Sequence, residues 1–522
     1  MSYLEDLKRK LESGTLFKAD ISGFESKLFP DFVESPESSI LIGEAASPGA
    51  ASGRLALTNI DVEKYGEVIL LKEETKAEDI PSIRGSKGVI AIKGGVSSHA
   101  AIISRGYGIP CITGCQDIKI KDGEVDISGH RVRTGDYISF KNGHIYLGQH
   151  KVTPGIITSI INDSNIEEIK AYQRFLETIK KILDKKGFVV KSNSDDPLSA
   201  RTAKILGANG IGVVRTEHMF FDTTDQKRLI FMLKMLMADS SAERRSALSE
   251  LYLMQVKDFE GIFNEVKPYQ VTIRLLDPPL NEFIPDSKEE LEILAGKLNI
   301  SAEEILKRKR LLDQQNPMMG YRGVRLAISH PEIYEMQVRA IFAAAKSQNV
   351  KPEIMIPLVA DPNELKYVDS KIINPLSEEF KIEYSLACMI EVPRATEEPI
   401  VKRLAEIAET LSFGTNDLTQ YHFGLDRSGL SGFLKEAEKL GTMPGKVFET
   451  IDRDGIGNSI RRVVNTARKV NNNVHIGVCG EHGGDPESII FFIREAGLNY
   501  VSCSPFRVPV ALLAAAYSFT QT

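Results

Sequence analysis

The chain has 522 residues, 42% hydrophobic and 26% charged, which is enough for two or three globular domains of about 150 residues and excludes a disordered or fibrous protein. Its 65 Lys and Arg against 71 Asp and Glu give a formal net charge of -6, so no basic groove for nucleic acid is expected. We find no apolar run of about eighteen residues and no apolar leader, and we expect a cytoplasmic protein without a membrane span.

The first 150 residues contain two predicted regions. Residues 1–40 are expected to form a helical lead-in, because leucines recur at helical spacing before an irregular stretch with Phe and Pro. Residues 41–150 predict a small β-rich α/β domain, since short apolar runs alternate there with Gly, Asp and Asn turn signals. One helix, near residues 98–106, is expected to interrupt these strands.

The remaining chain is predicted to be a linker followed by a barrel. Residues 151–187 contain an amphipathic helix of 3.6-residue period that ends at Gly187. Between 188 and 522, eight short β-like runs alternate with helix-compatible segments, which predicts a (β/α)8 barrel of the TIM type. Polar and Gly-rich residues cluster at the C-terminal ends of these runs, where such barrels place their active sites.

One motif of the first domain has the character of a phosphoryl-transfer site. The string GGVSSHAAII places His99 at the first turn of the predicted helix, behind a Gly-Gly turn. A phosphate there would meet unpaired N–H groups, with further donors from Ser97 and Ser98, and a neutral imidazole is a competent nucleophile toward phosphorus. On spacing alone, a histidine at this position more often caps the helix than acts as a nucleophile.

The predicted barrel carries groups suited to an anionic substrate and a divalent metal. Glu391 and Asp417 end two adjacent strands, and two carboxylates at the catalytic face suit Mg²⁺, although helix-capping acids are an equally good interpretation of the spacing. Guanidinium groups bind phosphate and carboxylate, but a single arginine is more often a surface or ion-pair residue. The arginines at strand ends and loops are Arg215, Arg274 and Arg322, and the anion-binding loop before Asp417 consists of Gly414, Thr415 and Asn416.

The five cysteines are odd in number and widely spread, which indicates neither a disulfide framework nor a zinc site. Cys479 follows the seventh run, and a thiol near arginines and a metal is expected to have a pKa below the free value of about 8.5 and to exchange protons with carbon. Most lone cysteines are instead inert core residues. We expect Cys503 to serve in packing, and His482 also fits a structural role.

Two sets of strings resemble the phosphoenolpyruvate-utilising enzymes. GGVSSHAAIISRGYGIPCITG is similar to their phosphohistidine swivelling domain, with Ser97 and Ser104 as mild departures from the usual Thr and Ala. RTEHMFF, RLLDPPL, NPMMGYRG, MIEVPRA, SFGTNDLT and CGEHGGDP resemble the barrel of the pyruvate phosphate dikinase branch more closely than other branches. The resemblance covers nearly all of residues 41–522.

The resemblance implies roles for these residues. His99 would carry the phosphoryl group, and the arginines would hold the phosphate and carboxylate of phosphoenolpyruvate. Glu391 and Asp417 would bind Mg²⁺. Cys479 would take the methyl proton of pyruvate or return it to the enolate. The barrel would pair as a homodimer.

The resemblance also implies a missing part. A complete dikinase begins with a large ATP-grasp region, nothing of that size fits before Ile40, and no Walker A string is present. We therefore expect the pyruvate half-reaction, phosphoenolpyruvate plus His99 giving pyruvate plus phospho-His99, with a separate ATP-grasp subunit or a phospho-acceptor protein as partner. The alternative is a non-catalytic sensor of phosphoenolpyruvate or pyruvate, or a phosphocarrier partner protein.

Overall fold

The computed structural model describes residues 3–34, 36, 38–75, 79–93, 99–121, 124–161, 165–220, 226–238, 240–277, 288–298, 300–312, 319–425 and 431–520. The chain divides into two compact units, Met1–Thr178 and Ile179–Thr522. The division falls within the long helix of the predicted linker.

Two helices form the lead-in, α1 (Tyr3–Ser13) and α2 (Lys18–Leu28). The leucines of α1 are buried on one face, as their spacing predicts. The expectation of an irregular stretch after α1 is wrong in part, because α2 lies within it. Asp20 accepts a hydrogen bond of 2.8 Å from the Phe17 N–H and so satisfies an open donor at the start of α2.

The β-rich region contains an eight-stranded mixed sheet and a three-stranded antiparallel sheet. The strands of this unit are β1 (Asp31–Phe32), β2 (Leu41–Ile42), β3 (Glu44–Ser47), β4 (Ala50–Ala56), β5 (Val68–Lys72), β6 (Gly88–Ala91), β7 (Cys111–Thr113), β8 (Ile118–Lys121), β9 (Glu124–Ile127), β10 (His130–Arg133), β11 (Tyr137–Lys141), β12 (His144–Leu147) and β13 (Val152–Thr153). The larger sheet has the order β2-β12-β11-β4-β5-β6-β7-β3, with β4 to β7 parallel. The smaller sheet has the order β10-β9-β8, and β1 pairs with β13.

Three helices lie among these strands in the part of the region that the structure describes, so the prediction of a single interrupting helix is wrong. They are α3 (Asn59–Tyr65), α4 (Ile80–Gly85) and α5 (His99–Tyr107). The first two span only 7 and 6 residues, too few for an apolar period to show in the sequence.

The linker contains α6 (Ile156–Ile161) and α7 (Ile166–Lys186). Gly187 follows α7 with a φ of +63°, a conformation that glycine adopts without the steric cost of a Cβ atom. Tyr172 is buried as the period predicts, whereas Ile166 at the first turn is 66% exposed.

A closed parallel barrel forms the second unit and confirms the predicted (β/α)8 fold. The sheet closes where β14 pairs with β21, with Val189 opposite Tyr500. The strands are β14 (Val189–Asn193), β15 (Ile211–Arg215), β16 (Val271–Arg274), β17 (Glu353–Ile356), β18 (Ser385–Ile390), β19 (Thr410–Phe413), β20 (His475–Val478) and β21 (Tyr500–Cys503). The helices are α8 (Pro197–Ile205), α9 (Gln226–Leu236), α10 (Ser241–Val266), α11 (Lys288–Leu298), α12 (Ala302–Leu312), α13 (Val324–Ser329), α14 (Pro331–Gln348), α15 (Pro362–Val368), α16 (Asn374–Phe380), α17 (Glu398–Ile407), α18 (Thr415–Phe423), α19 (Ser431–Lys439), α20 (Ile456–Val470), α21 (Pro486–Phe491) and α22 (Val508–Thr520).

A polar layer fills the barrel near the N-terminal ends of its strands. The buried carboxylate of Glu353 accepts hydrogen bonds from the hydroxyls of Thr272 and Thr410, over 2.6 and 2.7 Å, and a longer one from the Gln270 amide. The Lys191 ammonium donates to the amide oxygen of Gln270, over 3.0 Å. Because these groups satisfy one another, the lower barrel is a packed structural layer, and the opposite end of the strands is left for chemistry.

Within the described segments, no helix has both the length and the apolar character needed to cross a bilayer.

Candidate active site

The predicted residues of the barrel lie together at the C-terminal rim of the strands. Arg215 and Arg274 end β15 and β16, Glu391 follows β18, Asp417 lies in the first turn of α18 after β19, and Cys479 follows β20. Parallel strands of one barrel deliver their ends to a single face, so separated positions in the sequence become one site.

Arg322, from the loop before α13, connects two carboxylates at this rim. Its Nε and Nη2 atoms donate to Asp277, over 2.8 and 2.9 Å, and its Nη1 and Nη2 atoms reach Asp417, over 3.3 and 3.2 Å. Burial opposes the charge on Arg322, but the two carboxylates outweigh burial and raise its pKa. Arg322 is therefore a permanently charged link between the two acids.

Arg274 is also buried among acids. Its guanidinium pairs with Glu217, and its Nη1 atom lies 3.4 Å from Asp277. Burial opposes its charge, yet the neighbouring carboxylates raise its pKa. Its Nε atom is buried without a hydrogen-bond partner among the described residues. A buried donor in that state is costly unless a ligand accepts from it.

Arg215 is held by Asp195, which follows β14. The carboxylate accepts from the Arg215 backbone N–H over 2.7 Å and from its Nε and Nη2 atoms over 3.2 and 2.9 Å. The same carboxylate contacts Nδ1 of His218, over 2.8 Å. Burial would raise the pKa of Asp195, but Arg215 and His218 outweigh it and lower that pKa. Asp195 is thus an anion that holds Arg215 in place at the rim.

Glu391 has two carboxylate oxygens in different states. Oε1 accepts from the Leu358 N–H over 2.6 Å, whereas Oε2 is buried and lacks a hydrogen-bond partner among the described residues. Burial, followed by the charges of Asp417 and Asp277, raises the pKa of Glu391. An unpaired carboxylate oxygen in such a place is a suitable ligand for a cation, because a cation removes the cost of its burial.

The start of α18 is held by contacts with the loop after β20. Thr415 Oγ1 lies 2.8 Å from His482 Nδ1, and Asn416 Oδ1 accepts from the Glu481 N–H over 3.1 Å. His482 Nε2 lies 3.0 Å from the Val447 carbonyl, so this buried ring joins two loops. The side chains of Thr415 and Asn416 therefore fix the loop after β20 against α18, and the backbone at Gly414 remains close to Glu391.

Cys479 is 8% exposed, and its thiol donates to the Phe413 carbonyl over 3.7 Å. Burial raises the pKa of this thiol to about 11 and outweighs the lowering by the Ser412 hydroxyl and Arg274. The expectation of a lowered pKa is therefore wrong, because the site removes more hydration than its positive charges replace. Asn193 donates to the Cys479 carbonyl over 2.9 Å and fixes its backbone.

The charges at the rim favour a divalent cation. Five carboxyl groups, those of Asp195, Glu217, Asp277, Glu391 and Asp417, accompany three guanidiniums, so this set carries a formal charge of -2 when every acid is ionised. The raised pKa of Glu391 means that its ionisation is unfavourable without a nearby cation. An anionic substrate would be repelled by that excess unless a cation neutralised it. No group of three or more His, Cys, Asp and Glu side chains arranged for a metal occurs in the described part of the chain, so Glu391 and Asp417 would need substrate oxygens or water to complete a shell.

His99 belongs to the first unit, where it is the first residue of the nine-residue helix α5. The Gly-Gly turn and the two serines before it, residues 94–98, lie outside the described residues. The described helix begins at His99, where the motif predicts, and β6 ends at Ala91.

Sequence reasoning missed several members of the rim. Asp277 and Glu217 stand within three residues of predicted arginines, in RLLD and RTEH, and a search for carboxylate partners of those arginines would have found them. Asp195 precedes Asp196, which caps α8, so the sequence does not distinguish the acid that caps the helix from the acid that binds Arg215. Leu358 contacts Glu391 through its backbone N–H, so its residue type does not indicate this contact.

Comparison with known proteins agrees with this architecture. The family model described as "PEP-utilising enzyme, PEP-binding domain" matches residues 169–518, and "PEP-utilising enzyme, mobile domain" matches residues 65–139.

The chain is 41% identical over 515 residues to pyruvate, phosphate dikinase 2 of Oryza sativa subsp. japonica, an alignment that covers 94% of this chain and 56% of that protein. It is 38% identical over 528 residues to pyruvate, phosphate dikinase of Clostridium symbiosum, covering 97% and 58%. The chain thus spans about half the length of the curated relatives it matches. With both matched domains and the barrel rim in place, the chain belongs to the family of PEP-utilising enzymes.

Proposed function

We propose that this chain catalyses reversible phosphoryl transfer between phosphoenolpyruvate and His99, the pyruvate half-reaction of a dikinase-like enzyme. The observation that carries the proposal is the barrel rim, where three arginines and the unpaired oxygen of Glu391 lie at one face with the Cys479 thiol. His99, at the start of α5 within the matched mobile domain, is the nucleophile.

Substrate anions would bind to the guanidinium edges that the resident acids leave open. Asp195 occupies the Nε and Nη2 atoms of Arg215, and within the described residues Nη1 has no hydrogen-bond partner. The Nε atom of Arg274 likewise has no hydrogen-bond partner among the described residues. Arg322 donates to two acids already, so its role is to order Asp277 and Asp417 rather than to grip substrate. Two guanidiniums thus remain for the phosphate and carboxylate.

Transfer from phosphoenolpyruvate forms a bond between an imidazole nitrogen of His99 and phosphorus and breaks the bond between phosphorus and the enol oxygen. The enolate that leaves takes a proton at its terminal carbon from the Cys479 thiol and becomes pyruvate. With its pKa near 11, the thiol is protonated at neutral pH and is ready to donate in this direction. In the opposite direction, the thiolate takes the methyl proton of pyruvate.

Mg²⁺, when bound by Glu391 and Asp417, supplies positive charge for the enolate and carboxylate oxygens. The contribution of the chain is to hold those two carboxylates, one through the Leu358 N–H and the other through Arg322.

Labelling tests the proposal directly. The full chain is incubated with Mg²⁺ and phosphoenolpyruvate carrying ³²P, and acid-labile, alkali-stable label is measured on the protein together with the pyruvate released. We expect one label per chain, lost in His99→Ala and strongly reduced in Cys479→Ala. A chain that binds phosphoenolpyruvate without acquiring label would be a sensor, and label that survives His99→Ala would reject His99 as the nucleophile.

We further propose that the phosphoryl group is exchanged with a second polypeptide, either an ATP-grasp subunit or an acceptor protein. The support is chemical: net turnover requires a second donor or acceptor for the phosphoryl group of His99, and the two matched regions are a PEP-binding domain and a mobile domain. Co-purification followed by transfer of label from His99 to ADP or to a partner protein distinguishes the two. Formation of phosphoenolpyruvate from ATP and pyruvate by the purified chain alone would contradict this arrangement. Light scattering tests the expected homodimer.

A further inference from the structure

We propose that Leu358 is a positioning residue for the metal ligand Glu391, and that its strained backbone aims one carboxylate oxygen at the cation. The inference rests on the proposed function for the identity of the ligand. It goes beyond that function by assigning a role to a buried leucine whose side chain has no catalytic chemistry.

Leu358 adopts a backbone conformation that a leucine rarely adopts. Its φ is +58°, in the left-handed region where the Cβ atom of an ordinary residue is crowded. Such a conformation is energetically unfavourable and persists only where neighbouring structure enforces it. At this position it directs the N–H toward Glu391 Oε1, at 2.6 Å, so the strain coincides with the contact that fixes the carboxylate.

The neighbouring loop enforces the strain. The Val324 N–H donates to the Pro357 carbonyl over 3.3 Å and joins this turn to the start of α13. Gly323 also has a φ of +58°, and a Cβ atom there would lie 2.9 Å from the Leu358 Cβ and 3.0 Å from Asp277 Oδ1. The absence of a side chain at Gly323 therefore leaves room for Leu358 in its unusual conformation.

The other side of the carboxylate is kept open by a second glycine. A Cβ atom at Gly414 would lie 2.6 Å from Glu391 Oε2 and 3.1 Å from Met389 Sδ. With Oε1 held by Leu358 and space beside Oε2, the carboxylate has one anchored and one open oxygen. A ligand fixed in this way binds metal more tightly, since it loses less freedom on binding.

A pair of substitutions at Leu358 separates backbone conformation from packing. Leu358→Val adds a branch at Cβ, which disfavours a positive φ, whereas Leu358→Met keeps an unbranched Cβ and a similar volume. Binding of Mn²⁺ to the full chain is measured by the loss of the free-ion electron paramagnetic resonance signal, with no substrate present. Glu391→Gln is the reference for a lost ligand.

We expect Leu358→Val to weaken Mn²⁺ binding by about tenfold and Leu358→Met to change it by less than about twofold. Gly414→Ala places a methyl group beside the other oxygen of the same carboxylate and should also weaken Mn²⁺ binding. This variant tests the inference if Leu358→Val does not fold. Thermal unfolding identifies folded variants. Folded Leu358→Val or Gly414→Ala that binds Mn²⁺ as tightly as the parent overturns the inference.

The two proposals fail differently. Mn²⁺ bound through Glu391 and weakened by Leu358→Val, but without label on His99, would support the positioning role and reject the enzyme. Label on His99 with Mn²⁺ affinity unchanged in Glu391→Gln would reject the positioning role and leave the transfer intact.

Discussion

Arg322 and Asp417 face each other across two contacts, of 3.3 Å from Nη1 to Oδ1 and 3.2 Å from Nη2 to Oδ2. The same guanidinium grips Asp277 with its Nε and Nη2 atoms, over 2.8 and 2.9 Å. A planar guanidinium that holds two carboxylates fixes their relative orientation. Asp417 is therefore held in place before any ligand arrives, with the remaining lone pairs of its oxygens available to a cation.

Asp417→Asn should leave the fold intact and remove the proposed metal site. The amide keeps the size of the side chain and one acceptor for Arg322, but it loses the charge that a hard cation requires. We expect Mn²⁺ affinity and the rate of His99 labelling to fall by about 100-fold or more. Asp361→Asn, which changes an acid paired with Arg394 at the start of α15, is the matched control and should alter neither quantity. Unchanged Mn²⁺ binding in Asp417→Asn would reject it as a ligand.

Asp195→Asn should weaken substrate binding more than the chemical step. Arg215 would keep one acceptor for its backbone N–H but lose the anion that aligns its guanidinium. We expect the phosphoenolpyruvate concentration for half-maximal labelling to rise by about tenfold, with a smaller change in the maximal rate.

The neighbouring acid provides the control for that measurement. Asp196 caps α8 through the N–H groups of Leu198 and Ser199, so Asp196→Asn affects the helix and not the rim. Equal effects of the two substitutions on half-saturation would show that Asp195 is merely structural.

The barrel itself is readable from the sequence because its strands are short apolar runs separated by helices, and all eight were predicted. The positions of residues such as Arg274 and Glu391 at strand ends follow from the same periodicity, whereas their roles are implied by the resemblance to the PEP-utilising enzymes. The partners of these residues are harder to predict, since the Arg322–Asp277 pair joins positions 45 residues apart through a loop. The left-handed turn at Leu358 has no signal at all, because its function lies in a backbone N–H. Short helices such as α3 are not predicted for a different reason: fewer than two helical turns are too short to show the 3.6-residue period of apolar residues.

The buried thiol of Cys479 leads to a prediction about pH. Since burial raises its pKa to about 11, the neutral thiol predominates at physiological pH, and the reactive thiolate increases about tenfold for each pH unit below that value. We expect iodoacetamide to modify Cys479 slowly at pH 7 and progressively faster up to pH 10, followed by mass spectrometry of the peptide that contains it.

Two variants check the cause. Ser412→Ala removes the hydroxyl that lowers the pKa of the thiol, so the curve should shift to higher pH. Arg274→Lys should leave the direction of the profile unchanged, because burial is the larger influence. A plateau in reactivity below pH 9 would mean that the thiol is activated after all.

The polar layer beneath the site should be important for stability rather than activity. Glu353→Ala removes the acceptor of Thr272 and Thr410 and leaves Lys191 without the nearby negative charge that opposes the lowering of its pKa by burial. We expect this substitution to reduce the free energy of unfolding of the barrel by about 3–5 kcal/mol, measured by urea denaturation.

An exposed acid gives the contrast. Glu379 pairs with Arg339 over 2.6 Å on the outer surface, with about half of its side chain in solvent, so Glu379→Ala should change the unfolding free energy little. The folded fraction of Glu353→Ala should still bind Mn²⁺ with the parent affinity, because its layer makes no contact with the carboxylates of Glu391 and Asp417 in the described structure. Loss of Mn²⁺ binding without loss of stability would instead place Glu353 in the chemistry of the rim.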